Sequence, residues 1–482
     1  MIDIIAHYWP HILAVLSVLL GAPAAIHAAM TKDDVRSAVG WVGIILLSPV
    51  VGALLYYIAG INRIRRQQLR DRRHPLDNVL DVDARQFEVT DGELEPIFGE
   101  RAAAMVRLGD HVTRWPVTSG NSIELLSSGD ETYAAMLDAV AKAERSILME
   151  TYIFDRDGIG KALADRLGEA VSRGVEVRVL VDAVGARYST PSILGYLRSK
   201  GVRADVFNGN VIVGLRLPYA NLRVHRKILT VDGSVGFVGG MNIRDAFRGP
   251  DSARDTHFRV RGPIVGSLFT CAAEDWHFAT GETLDGPAWK VAAGDAAAKS
   301  PVFMRAVQSG PDRHLEANQK MLLGAFSVAK HSIRIMSPYF LPDKELISAL
   351  ATAARRGVDV EIIVPSLNNL MLVDRAMTAQ FDQLIKEGCR IYRSGGVFNH
   401  SKLLCIDGGW SFVGSSNIDS RSLRLNFEID LEVFDADFAN MISKRIGAVI
   451  ERGEPVTLKS LHRRPFLLRL FDRILWLGSP YL

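Results

Sequence analysis

Residues 224–242 read VHRKILTVDGSVGFVGGMN, and residues 399–417 read NHSKLLCIDGGWSFVGSSN. The stretches align at a constant spacing of 175 positions, which pairs His225 with His400, Lys227 with Lys402, Asp232 with Asp407 and Asn242 with Asn417. Each is H-x-K-x-x-x-x-D, then a second strand-like run, a turn of small residues and an Asn. In a chain with 12 histidines, one chance match to that pattern is expected only about 0.03 times. Two copies in register mark an internal duplication.

The flanks repeat as well. AERSILMETYIFDRDGIGKALADRLGEAVSRGVEVRVLVD, residues 143–182, matches AKHSIRIMSPYFLPDKELISALATAARRGVDVEIIVP, residues 329–365, in its order of strand, helix, Arg-Gly-Val turn and strand. From about residue 117 onward, short β-branched runs such as 146–152 and 175–181 alternate with helical stretches such as 160–173. That alternation is an α/β pattern. The expected organisation is a connecting segment at 76–116, a first lobe at 117–284, a second lobe at 312–460, and between the lobes a stretch at 285–311, rich in Gly, Ala, Pro and Asp, that reads as a linker or a lobe-crossing strand with loops.

His and Lys two apart on a strand point to the same face. His225 with Lys227, and His400 with Lys402, therefore address one ligand. Asp232-Gly233 and Asp407-Gly408 are hairpin-turn dipeptides, and turn chemistry accounts for most of what these aspartates do. Gly239-Gly240 and Gly414-Ser415-Ser416 leave backbone amides accessible, and Asn242 and Asn417 add neutral donors. A His, a Lys, free amides at Gly240 and Ser415 and an Asn describe a site for a phosphoryl oxyanion. Two such sites facing across a pseudo-two-fold axis let one histidine attack phosphorus while the other protonates the leaving alkoxide, after which the roles swap. A nucleophilic imidazole needs a carboxylate to fix its tautomer. The candidates are Glu428 in LNFEID, 28 residues beyond His400, and Asp255 in RDTHF, 30 beyond His225. No His, Cys, Asp or Glu cluster has metal-ligand spacing and the lysines already supply positive charge, so the chemistry calls for no metal and no other cofactor.

The chain has 482 residues, 48% hydrophobic and 23% charged, which excludes a disordered or collagen-like protein. Its 57 Lys+Arg against 54 Asp+Glu leave +3, too little for the net field to predict nucleic acid as a partner. Cys271, Cys389 and Cys405 form no C-x-x-C and read as reduced thiols in a cytoplasmic domain. The mean hydropathy of +0.11 is high for a soluble protein and low for a bundle of spans, so the apolar surplus is local.

Much of it lies at the start. Residues 9–29 are largely apolar, and residues 39–61 (VGWVGIILLSPVVGALLYYIAGI) carry no charge. At about 1.5 Å per residue the latter stretch is long enough to cross a hydrocarbon core of roughly 30 Å. Trp41, Tyr56 and Tyr57 suit an interfacial belt. Six arginines follow, at 63, 65, 66, 70, 72 and 73. Residues 1–75 are thus expected to form a transmembrane hairpin, with a single span plus an interfacial N-terminus as the alternative, and a basic flank that keeps the remaining chain in the cytoplasm. A secretory signal peptide is disfavoured because the first segment lacks a basic n-region. In PFLLRLFDRILWL, residues 465–477, Phe466, Leu467, Leu470, Phe471, Ile474 and Leu475 form one stripe, with Arg469, Asp472 and Arg473 opposite. This part of the C-terminal segment 461–482 reads equally as a helix packed on the domain or as an interfacial membrane helix.

The paired motif resembles the phospholipase D superfamily. PVTSGNSIELLSSGDETYAAMLDAV, TYIFDRDGIG, SPYFLPDKELISALATAARRGVDV, HSKLLCID and SRSLRLNFEIDLEVFD are similar to the bacterial cardiolipin synthases across nearly the whole chain. The resemblance implies an α/β fold of two homologous phospholipase D-like lobes, each a mixed sheet flanked by helices, related by a pseudo-two-fold and preceded by the transmembrane hairpin. It implies a transphosphatidylation in which one phosphatidylglycerol donates its phosphatidyl group to a histidine, releasing glycerol, and a second phosphatidylglycerol takes it up to give cardiolipin. By motif match it assigns His225, Lys227, Asp232, His400, Lys402 and Asp407 to catalysis, with His225 as the phosphohistidine and His400 as acid and later base. Asn242, Asn417, Gly240 and Ser415 then bind phosphate, and Asp255 and Glu428 orient the histidines. The first copy departs from the pattern with Gly-Gly in place of Gly-Ser, and Asp255 sits two places further out than Glu428. The implied location is a bacterial inner membrane, multi-pass, with cytoplasmic catalytic lobes. The competing readings are a membrane phospholipase D that hydrolyses headgroups, a superfamily nuclease, which would be expected to be more basic and to lack paired spans, and a non-catalytic membrane scaffold on the same fold.

Overall fold

A computed structural model describes residues 2–32, 34–61, 87–208, 222–291 and 302–479. The chain divides into two units, Met1–Arg65 and Arg66–Leu482. The arginine run at 63–73 lies outside the described residues.

In the first unit, Tyr8–Thr31 is a 24-residue helix apolar and long enough to cross a membrane. The second expected span is not one helix. Val35–Leu47 stops at Ser48, whose φ of −145° and ψ of 79° are not helical, and a new helix begins at Pro49. Proline lacks an amide hydrogen and excludes the helical conformation from the residue before it. The chain folds back at this break so tightly that a Cβ on Gly52 would stand 2.6 Å from the Ile44 carbonyl oxygen. Trp41 and Tyr56 consequently meet edge to face, with ring centroids 5.3 Å apart. Tyr56 is buried and its hydroxyl lies 2.8 Å from His27 Nδ1, so these two aromatics form a small core rather than an interfacial belt. Lys32 Nζ donates to the Gly60 carbonyl at 2.5 Å, which brings the two ends of the broken pair together. With 13 residues at about 1.5 Å each, Val35–Leu47 falls short of a full crossing.

The second unit is built on one mixed sheet. In the first repeat the strands run Arg203–Phe207, Glu176–Asp182, Ser146–Thr151, Ile228–Val231, Val235–Gly239, His257–Arg261 and Thr118–Leu126 across the sheet. In the second repeat Arg390–Ser394, Asp359–Pro365, Ser332–Met336, Leu403–Ile406, Trp410–Gly414, Asn426–Phe434 and Val302–Ser309 follow the same order. Thr118–Leu126 pairs antiparallel with Val302–Ser309, so the halves meet through their first strands as a pseudo-two-fold requires. The first three strands named in each half are parallel, joined by crossover helices such as Gly158–Ser172 and Lys344–Arg355, the inner ones are antiparallel, and Glu454–Val456 adds an antiparallel edge strand to the second half.

Two segments join the folded core. Within the stretch read as a linker or a lobe-crossing strand, Val302–Ser309 is a strand, almost wholly buried and paired on both sides, because it opens the second repeat. The described part of the connecting segment forms the helices Asp91–Phe98 and Arg101–Val112, which place Leu94, Phe98, Ala102 and Met105 in the core of the second repeat. Cys271, Cys389 and Cys405 are unpaired and buried.

Candidate active site

Each motif begins a hairpin whose turn is set by Asp-Gly. The φ values of Asp232, Gly233, Asp407 and Gly408 are 52°, 62°, 51° and 65°, a pair of left-handed residues per turn that this dipeptide tolerates. The Asp232 carboxylate accepts from the amides of Glu144, Arg145 and Ser146 at 3.0, 2.7 and 2.9 Å. Asp407 accepts from those of Lys330, His331 and Ser332 at 2.8, 2.7 and 2.7 Å and also pairs with Arg101. These amides hold the Asp407 carboxyl below its ordinary range against the opposing pull of burial. Neither aspartate reaches the cavity that holds the histidines. The assignment of Asp232 and Asp407 to catalysis is corrected accordingly: each is committed to three amides and clamps its hairpin to the neighbouring strand. Asp407→Ala is expected to cost about 3 kcal/mol of stability, measured by denaturant unfolding, with kcat per folded molecule within about threefold. A collapse of kcat at unchanged stability would return Asp407 to the reacting groups.

His225 and Lys227, like His400 and Lys402, sit in the extended segment that enters the strands Ile228–Val231 and Leu403–Ile406 rather than on the strands themselves. Each histidine amide is captured by the other repeat. His225 N donates to the Phe427 carbonyl at 2.9 Å, and His400 N donates to that of Arg254 at 2.6 Å. The residues that follow those carbonyls are the carboxylates. His225 Nδ1 lies 3.0 Å from Glu428, and His400 Nδ1 lies 2.7 Å from Asp255. A carboxylate only accepts, so Nδ1 carries the proton; the Nε2 lone pair of His225 is left for a substrate, and that of His400 lies 3.3 Å from Lys402 Nζ. Arg226, fully buried and paired with Asp275, donates Nε to the Glu428 carbonyl at 3.1 Å and fixes the strand that carries this carboxylate.

The small residues after each hairpin serve the carboxylates. Ser415 Oγ donates to Glu428 at 2.6 Å, and Asn426 Nδ2 donates to it at 3.1 Å. At Gly240, the counterpart of Ser415, any Cβ would run into the Asp255 carboxylate. The departure to Gly-Gly in the first copy thus makes room for Asp255. The Gly240 amide donates to Thr256 O at 3.2 Å and the Ser415 amide to Ile429 O at 3.0 Å. Gly240 and Ser415 are therefore corrected from phosphate donors to supports of the orienting carboxylates, since their amides are already bonded within the sheet and neither residue lines the cavity. Asn242 and Asn417 do line it. Asn242 Oδ1 accepts from the Ile153 amide at 3.0 Å, which turns its NH2 group away from that contact.

The cavity, of about 430 Å³, is bounded by His225 and His400, by the aromatic rings of Tyr152, Tyr339, Phe247 and Phe398, and by Arg223, Arg244 and Arg421. The Tyr152 ring stands 5.2 Å from that of His225, and the Tyr339 ring 5.9 Å from that of His400. Tyr152 and Tyr339 are site residues that the motif reading missed. They lie one place apart when the repeats are aligned, with Tyr152 opposite Pro338 and Tyr339 opposite Ile153, so the repeat alone did not mark them. Arg421 has no duplicated counterpart to draw attention to it.

The lysines lie beneath their histidines. Lys227 donates to the His225 carbonyl. Lys402 Nζ donates to the His400 carbonyl at 2.5 Å and lies 3.0 Å from Nδ1 and 3.3 Å from Nε2. Burial pushes Lys227 down to about 7 against the pull of Glu428, and it lowers Lys402 as well. Burial, reinforced by both lysines, holds His225 well below its ordinary value. His400 is pushed down to about 4 by burial and Lys402, with Asp255 opposing. Burial raises Glu428, whereas Lys402 and His400 outweigh burial at Asp255 and lower it. A phosphate anion entering the cavity supplies these cations with the stabilisation that burial removes.

The family model described as cardiolipin synthase, PLD-like domain matches residues 136–252 and 322–450, and one described as phospholipase D-nuclease N-terminal matches residues 12–60. The chain is 32% identical over 455 residues to cardiolipin synthase of Alkalihalophilus pseudofirmus, covering 92% of this chain and 88% of that one. It is 32% identical over 474 residues to cardiolipin synthase A of Pseudomonas putida, covering 96% of each. Phosphatidylserine synthase of Haemophilus influenzae superposes with a TM-score of 0.59 at 15% identity over 79% of this chain and all of that one, a likeness of fold.

Proposed function

The chain belongs to the cardiolipin synthases of the phospholipase D superfamily, and from that premise we propose how its residues carry out the transfer. It is a phosphatidyltransferase of phospholipid biosynthesis. Donor and acceptor are both phosphatidylglycerol. Nε2 of His225 attacks the donor phosphorus, the P–O bond to glycerol breaks as His400 protonates the leaving oxygen, and a phosphohistidine results. His400 then removes the proton from the acceptor's glycerol hydroxyl, whose oxygen takes the phosphatidyl group as the P–N bond breaks. Asn242 and Asn417, on the cavity wall, stabilise the non-bridging oxygens, and the charges of Lys227 and Lys402 beneath the histidines add to the field there. Arg223, Arg244 and Arg421 offset the repulsion between two anionic headgroups in one cavity. The observation that carries this reading is a pair of imidazoles on one cavity, each held at Nδ1 by a buried carboxylate.

Purified protein given labelled phosphatidylglycerol as sole lipid is expected to yield cardiolipin and glycerol in equal amounts. Phosphatidic acid as the main product would favour hydrolysis, no product would favour a scaffold, and cardiolipin only on addition of phosphatidylethanolamine would replace the acceptor.

The pH dependence follows from the depressed histidines. kcat/KM reports the free enzyme, in which His400 holds its proton only weakly, at about 4. kcat reports the lipid-bound state, in which the phosphodiester anion favours the imidazolium. Both profiles should pass through a maximum, and the alkaline limb of kcat should lie at higher pH than that of kcat/KM. Coincident limbs in steady-state assays across pH would show that the bound lipid does not act on His400.

The apolar N-terminal helix and the family mark a membrane protein. We infer a bacterial inner membrane with the catalytic unit in the cytoplasm, from the arginine-rich flank. The adjacency of Lys32 and Gly60 supports one full crossing followed by a folded-back helical pair, in place of the multi-pass hairpin expected from hydropathy. Asp34→Cys should then resist a membrane-impermeant maleimide in intact cells. Rapid labelling would restore the second crossing.

A further inference from the structure

The helix Phe466–Leu477 packs the opposite way from a soluble terminal helix. Its inward positions are Leu468, Asp472, Leu475 and Trp476. Asp472 is 1% exposed and pairs with Arg464 at 2.6 Å, while Leu475 and Trp476 rest on the second-repeat core. Phe466, Leu467, Leu470, Phe471, Ile474 and Leu477 all point outward and are 44–75% exposed. The helix lies along Met371–Ile385, to which Arg473 is tied through Asp382 at 3.1 Å. At the start of that neighbouring helix Leu367, Leu370, Met371 and Leu372 are 44–67% exposed, and Leu370 is also on the wall of the catalytic cavity. An apolar stripe on the terminal helix and an apolar turn at the cavity mouth thus share one supporting helix. A patch of this extent marks an interaction surface.

Charge selects the partner. Arg463, Arg469 and Arg473 are exposed beside the stripe, and the helix's only acid, Asp472, is turned inward. A second copy of the chain would bring two arginine rims together. A bilayer with anionic headgroups receives both the cations and the apolar side chains. We propose that Phe466–Leu477 and the turn at residues 367–372 form a membrane-docking surface of the catalytic unit, seated in the headgroup region of an anionic bilayer so that the cavity mouth meets its lipid at the surface. The proposal rests on the lipid-transfer reading for what the cavity takes, and on exposure and charge for the docking.

The test uses the full chain in vesicles of phosphatidylglycerol and phosphatidylethanolamine. A polarity-sensitive fluorophore is placed at Leu470→Cys, Leu367→Cys or, as a control on the exposed face of the helix Gly158–Ser172, Lys161→Cys; the native cysteines are buried. Labels at 470 and 367 should shift to the blue and be quenched by acyl-brominated lipid, and the control should not. A second variant, Leu467→Asp with Phe471→Asp, should raise the half-saturating vesicle lipid about tenfold and leave turnover of dispersed short-chain phosphatidylglycerol within about twofold. Water-like, unquenched labels at 470 and 367 would overturn the proposal, as would energy transfer between two copies without lipid quenching. Quenched labels without cardiolipin from either lipid form would instead overturn the reading of the cavity and leave the docking in place.

Discussion

His225→Ala and His400→Ala are each expected to lower kcat for cardiolipin formation by at least about 10⁴-fold with the fold intact. In the proposed mechanism the first removes the atom that bonds phosphorus, and the second removes the proton donor for a glycerol alkoxide, a leaving group too basic to depart unaided. Their roles separate with a donor whose leaving group needs no proton, such as a nitrophenyl phosphatidyl ester. His400→Ala should still release one equivalent of nitrophenol and accumulate the phosphohistidine, and His225→Ala should release none. The reverse pattern would make His400 the nucleophile, and full activity in either variant would end the two-histidine mechanism.

Glu428→Gln and Asp255→Asn should lower kcat by about 10²- to 10⁴-fold, because an amide no longer fixes the imidazole tautomer or stabilises the imidazolium. The informative part is which step each one slows. Glu428 belongs to the second repeat but holds His225, so Glu428→Gln should suppress the nitrophenol burst as the nucleophile variant does. Asp255 belongs to the first repeat but holds His400, so Asp255→Asn should keep the burst and lose turnover. Both are positioning residues, and a shift in the pH profile of the affected step should accompany the loss. If each variant instead impaired the histidine of its own repeat, the crossed arrangement would not operate in solution. A corollary is that neither repeat has a complete site alone: each supplies the carboxylate for the other's histidine, and the backbone bond from each histidine amide to Phe427 or Arg254 builds that exchange into the junction.

The sequence by itself determined the duplication, the histidines, lysines and asparagines that converge, and the Asp-Gly turns. These rest on local pattern, in which strand period and turn chemistry act over a few residues. The Ser48-Pro49 break was also legible in the Pro, although a hydropathy average conceals it because Ser48 and Pro49 carry no charge. Tyr152 and Tyr339 fall one place out of step when the repeats are aligned, so their convergence on the two histidines was not legible in the repeat. What only the tertiary structure decided depends on contacts between segments far apart in the chain. Glu428 and Asp255 cross between repeats because strand ends from opposite halves bond to the histidine amides, a pairing that no spacing encodes. The amides of Gly240 and Ser415 are consumed by the sheet, which a turn pattern cannot foresee. The C-terminal stripe faces outward because Asp472 finds Arg464 against the domain, so a single buried ion pair, together with Leu475 and Trp476 on the core, sets which face of an amphipathic helix is turned away from the protein.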